Sequence, residues 1–115
     1  MDLINELVSQ FNRLLPAGSG KAWVNCEISN NRVSLVGFYS NNEADTGISN
    51  IHIPSGMGLM FARLRDEADS KKQWNSATII LESGGEFSMD YSYESFSDSS
   101  QLERRKSWKS KYLPV

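Results

Sequence analysis

The amino-acid sequence predicts an α+β fold. The expected architecture is a four-stranded, mostly antiparallel sheet of two hairpins, with helices packed on one face, in the order α-β-β-α-β-β-α. Three observations lead there. Two pairs of strand-like runs are each joined by a tight-turn signal, Asn30-Asn31 in the first and Gly84-Gly85 in the second. Two other segments carry apolar residues at helical spacing. The chain has 115 residues, which predicts one domain over 1–115. Because each hairpin is local, antiparallel pairing needs no long crossover within a pair.

The elements follow in order. Residues 2–15 place Ile4, Leu7, Val8, Phe11 and Leu15 on one helical face. Asp2 and Glu6 suit the positive end of that helix, and Pro16, Gly18 and Gly20 stop it. Residues 22–29 then alternate, with Ala22, Val24, Cys26 and Ile28 on one side and Asn25, Glu27 and Ser29 on the other. A second strand runs from Arg32 to Tyr39. Residues 40–50 are polar and turn-rich and predict a surface loop, with Ile51-His52-Ile53 a short strand ended by Pro54. Residues 55–72 return to helical spacing. Ser55 suits the N-cap, Met57, Met60, Phe61, Leu64 and Ala68 share one face, and the charged residues take the rest. Residues 74–82 and 86–93 alternate again around the Gly-Gly turn. Residues 95–102 form a polar loop, 103–110 a short closing helix and YLPV the tail; Trp108 and Tyr112, four apart, would share a face for core packing if the helix reached both.

Lys and Arg number 12 and Asp and Glu 14, a net charge of −2, which excludes a strongly basic chain whose whole surface attracts nucleic acid. Hydrophobic residues at 39% and charged residues at 23% fit a folded globule rather than a disordered chain. The N-terminal stretch has acids where a secretion signal needs positive charge, and no apolar run approaches a membrane span. The expectation is a reduced, cytoplasmic, soluble protein with no membrane partner.

Residues capable of chemistry are scarce. Cys26 and His52 are the only cysteine and histidine, too few ligands for a zinc site. His52 has no nucleophile or orienting acid at telling spacing, and Cys26 alternates with Val24 and Ile28 as a core residue would. The glycine-rich pieces at 18–20, 56–58 and 84–85 match no phosphate-binding pattern. The sequence therefore predicts no enzyme, no metal and no cofactor.

Charge is segregated instead. Glu82, Glu86, Asp90, Glu94, Asp98 and Glu103 fall in a stretch that holds no Lys or Arg, and Arg104, Arg105, Lys106, Lys109 and Lys111 follow directly. Strand parity puts Glu86, Asp90 and Glu94 on one face and Phe87, Met89, Tyr91 and Tyr93 on the other. The acids then line an exposed sheet face or its rim. They either solubilise the surface, pair with the basic segment, or form a docking surface for a basic partner. Proteins that handle phosphate polymers are basic, so an acidic protein can cover a nuclease by imitating its substrate's charge. On this reading Glu82, Glu86, Asp90, Glu94 and Asp98 are the charge contacts, and Tyr93 and Phe96 the aromatic anchors. The alternative uses Arg104, Arg105, Lys106 and Lys109, interleaved with aromatics, to bind nucleic acid or a general partner.

Residues 74–113 carry a more specific pattern. Trp74 opens a strand, Ile79 to Leu81 continue it, and Gly85, Phe87, Asp90-Tyr91 and Tyr93-Glu94 follow. Glu103-Arg104, Trp108 and Lys111-Tyr112-Leu113 close it. This spacing resembles the YezG-like immunity (antitoxin) family, as does an opening helix ending in Leu14-Leu15-Pro16 ahead of Trp23. The resemblance implies a small cytoplasmic bacterial protein without catalytic residues. Its implied partner is a cognate toxin, often a nuclease, either delivered by a neighbouring cell as the C-terminal domain of a larger secreted protein in contact-dependent inhibition or made by the same operon, with no direct role for nucleic acid.

Overall fold

The structure, a computed structural model, describes residues 2–29, 32–42, 47–67, 73–93 and 100–113. Its elements run α1 (Leu3–Leu14), β1 (Ala22–Ser29), β2 (Arg32–Ser40), β3 (Ile48–Ile51), α2 (Ser55–Glu67), β4 (Ser76–Leu81), β5 (Phe87–Ser92) and α3 (Gln101–Tyr112). The strands form one five-stranded sheet in the order β3-β2-β1-β4-β5, and every neighbouring pair is antiparallel.

Two features correct the sequence expectation. The sheet has a fifth strand, β3, which pairs with β2 from Gly37 opposite Ile51 to Ser40 opposite Ile48. It lies mostly within the stretch expected to be a loop, and the expected strand residues His52 and Ile53 fall outside it. Ser49 and Asn50 give this segment a polar, turn-like composition, and pairing along β2 supplies what intrinsic propensity does not. The second correction concerns the helices. α1 and α2 cover one face of the sheet, but α3 lies on the other, so the helices do not share a face.

The α1 and α2 face is dry. Asp2 caps α1, its carboxylate accepting the Ile4 N–H at 3.0 Å. Leu7 and Phe11 of α1 and Met57 and Phe61 of α2 are buried against Val24, Cys26, Ala77 and Ile79. Ser55, expected as an N-cap, is the first helical residue, and the Met57 N–H bonds the Pro54 carbonyl at 3.0 Å. α2 approaches β2 closely at Gly58, where an added Cβ would stand 3.2 Å from Val33 Cγ1 and 3.3 Å from Leu35 Cδ1. Ala68, on the expected helix face, lies outside the described residues, as does the Asn30-Asn31 turn.

The second hairpin turns as the Gly-Gly pair predicts. The Glu82 N–H bonds the Glu86 carbonyl at 2.7 Å, the Gly85 N–H bonds the Glu82 carbonyl at 3.0 Å, and Gly85 takes a φ of 94°. That left-handed conformation costs a side-chain-bearing residue energy that glycine avoids.

The opposite face is built around aromatic rings. Trp23 of β1 lies opposite Phe38 of β2, and Trp108 of α3 stacks on Phe38 with ring centroids 5.8 Å apart. Tyr112 stands 5.4 Å from Trp108, and Leu113 closes the cluster. Ser100 caps α3, its hydroxyl accepting the Glu103 N–H at 3.1 Å.

Candidate functional site

Alternation along β1 puts Trp23, Asn25 and Glu27 on the α3 face, and all three are buried. Two are polar, and burial obliges them to find partners. α3 supplies these. Arg104 meets the Glu27 carboxylate with two bonds, Nε to Oε2 at 3.0 Å and Nη2 to Oε1 at 3.3 Å. Arg105 donates from Nη1 to Asn25 Oδ1 and from Nη2 to Ser34 Oγ, each at 2.9 Å. Asn25 Nδ2 donates in turn to Ser76 Oγ at 2.9 Å and Thr78 Oγ1 at 3.1 Å, and Trp108 Nε1 donates to the same Thr78 hydroxyl at 2.9 Å. Gln101 bonds Ser34 near the start of the helix. Among the described residues, no buried side-chain nitrogen or oxygen lacks a partner. Burial pulls the Arg105 pKa below its ordinary value, and the nearby Glu27 charge opposes that shift.

Beside this seam a groove of about 840 Å³ opens between α3 and the β4–β5 side of the sheet. Glu27, Thr78, Asp90, Glu103, Arg104 and Tyr112 are among the residues lining it. Asp90 lies opposite Thr78 on this face and accepts a hydrogen bond from the Tyr112 hydroxyl at 3.0 Å. Burial raises the Tyr112 pKa, and the bond to Asp90 raises it further.

The residues expected to contact a partner are thus placed unevenly. Glu82 lies just after β4, half exposed, with Lys21 Nζ 3.4 Å from its carboxylate. Glu86 is exposed in the hairpin connection, and Asp90 is exposed at the groove wall. Tyr93 is 58% exposed just past the end of β5. Glu94, Phe96 and Asp98 lie outside the described residues. The face that parity assigned to the acids is partly covered, because α3 lies over it and reaches Glu27 of β1, Phe38 of β2, Thr78 of β4 and Asp90 of β5. Glu103 stands in the first turn of α3, where a negative charge suits the helix end.

The basic segment shares this division. Arg104 and Arg105 face their own sheet, Lys109 Nζ sits 5.3 Å from the Phe38 ring centroid, and Lys106 is exposed. Cys26 is fully buried in the dry core, where burial pushes its thiol pKa up to about 12, and His52 is exposed. Sequence reading missed the anchoring roles of Asn25, Glu27 and Ser34. One signal for them was present: Trp23 falls on the polar side of β1, and a tryptophan there marks a face that something covers.

Among the described residues no helix is long and apolar enough to cross a membrane. A search of curated proteins finds no match to the chain. The family model described as "Immunity protein YezG-like" matches residues 55–115, more than half of the chain, and takes in α2, β4, β5 and α3. The Trp74, Phe87, Trp108 and Tyr112 positions that suggested the resemblance all lie inside that span, and the chain belongs to the YezG-like immunity protein family.

Proposed function

We propose that this immunity protein acts in the cytoplasm, neutralising a cognate nuclease toxin by stoichiometric occlusion and without turnover. The toxin is the basic C-terminal domain of a larger secreted protein delivered between neighbouring cells. Its docking surface is acidic: Glu82, Glu86, Asp90, Glu94 and Asp98 supply charge, and Tyr93 and Phe96 supply aromatic anchors. The observation that carries this reading is the run from Glu82 to Glu103, which holds six acids and no base in a chain of the immunity family. A negative surface speeds encounter with a basic nuclease and disfavours wrong partners.

The test uses the toxin domain encoded beside this chain's gene. Co-expression with the immunity protein should protect cells. Alanine at Glu86, Asp90 and Glu94 together should slow association and weaken its salt dependence. Unchanged association in the triple variant overturns the acidic surface, and failure of the wild-type chain to bind overturns the reading. The alternative, nucleic-acid binding through α3, is disfavoured by Arg104 and Arg105 facing their own sheet. A gel-shift at physiological salt should show no complex.

A further inference from the structure

β5 ends the sheet, and its outer edge has no strand beside it among the described residues. Which backbone groups point outward follows from the hairpin. Glu82 donates its N–H to the Glu86 carbonyl, and Asn75 donates to the Ser92 carbonyl, so even-numbered residues of β5 turn their backbone groups toward β4. The N–H and C=O groups of Phe87, Met89 and Tyr91 therefore face outward. No hydrogen bond among the described residues uses them. Proteins commonly guard such edges with lysine or proline, and the β5 sequence, FSMDYS, has neither.

The side chains along this edge divide by face. Asp90, with Glu86 at the same parity, lies on the α3 side. Phe87 and Tyr91 are exposed on the other side, where Tyr91 lies beside Trp74 with centroids 5.8 Å apart. A strand added here would meet carboxylates on one face and aromatic or aliphatic groups on the other. Self-pairing of two β5 strands places acid against acid in registers centred on Ser88 or Asp90, and in the register centred on Met89 it sets Asp90 and Glu86 opposite serines, so no self-pairing gives the acids a basic partner.

We infer that the toxin docks by adding a strand to the outer edge of β5, using an extended segment that alternates basic and apolar residues. Its basic side chains lie toward Glu86 and Asp90 and its apolar ones toward Phe87, Met89 and Tyr91, while its backbone bonds the three outward residues. This rests on the function proposed above and specifies its geometry.

Amide hydrogen exchange on the full chain, with and without the purified toxin domain encoded beside its gene, tests it. Toxin should slow exchange at Phe87, Met89 and Tyr91, whereas the Ser88 and Asp90 amides are already held by β4. Phe87→Pro removes an outward donor without touching the β4 ladder, as edge positions allow. It should weaken toxin binding about tenfold, and more than Phe87→Ala does, with the circular dichroism spectrum retained. If wild-type chain binds the toxin but the three amides exchange as before, strand addition is overturned and the immunity reading stands. If the wild-type chain does not bind, both are overturned. Protection of the three amides at high protein concentration without toxin would show a second copy on the edge and overturn the assignment to toxin.

Discussion

The two faces of the sheet hold their helices by different means. Under α1 and α2 the contacts are apolar: Leu7, Phe11, Met57 and Phe61 against Val24, Cys26, Ala77 and Ile79. Under α3 they combine rings with directional polar bonds, through Glu27, Asn25 and Thr78. Apolar burial is non-directional and scales with area, so the first face supplies cohesion. Hydrogen bonds add less net energy but demand their partners, so the second face fixes where α3 sits. The open groove beside α3 keeps its walls because that position is fixed.

Substitutions can break this contrast. The largest effect should come from Phe61→Ala, which empties a fully buried site beside Trp74 and should cost about 3–5 kcal/mol in urea unfolding. Glu27→Ala should cost about 1–3 kcal/mol, because it deprives Arg104 of a carboxylate held in a mostly buried setting. Its signature should be local, with limited trypsin digestion speeding up at Arg104 and Arg105 while the dry core stays folded. Equal exposure of both faces to protease would erase the distinction drawn above. Trp108→Phe keeps most of the ring stacking but loses the bond to Thr78, and should cost about 1 kcal/mol.

Cys26 sharpens the same contrast through pH. Its ordinary pKa of 9.0 rises to about 12 in the folded chain because burial disfavours the thiolate. Between those values the unfolded chain gives up the proton that the folded chain keeps, so stability falls as pH rises. Cys26→Ala should flatten that alkaline decline in denaturation midpoints, and the native thiol should resist Ellman's reagent at pH 8. The smallest effect on stability belongs to Glu86→Gln, within about 0.5 kcal/mol, since Glu86 is exposed in a turn.

Much of this fold is legible in the sequence because its elements keep clean periods. β1, β4 and β5 alternate at two, and α1 and α2 repeat near 3.6. β3 escapes because Ile48 to Ile51 is half polar and owes its conformation to β2. The position of α3 escapes for another reason. Trp108 and Tyr112 mark the side on which α3 packs but not the sheet face that receives it, and the carboxylate that draws Arg104 inward stands 77 positions earlier in the chain. The candidate surface is readable as charge, from the run of acids, but not as shape. That Asp90 is tied to Tyr112 while Glu86 is not follows only from where α3 lies.

The central place of β1 also bears on what half of this chain can do alone. The family match begins at residue 55, yet β4 takes its inner neighbour from β1, and α3 finds Glu27, Asn25 and Ser34 in β1 and β2. A fragment starting at Ser55 would carry both the acids and the helix, but with a raw strand edge and stranded arginines. It would be a sticky remnant rather than a smaller inhibitor.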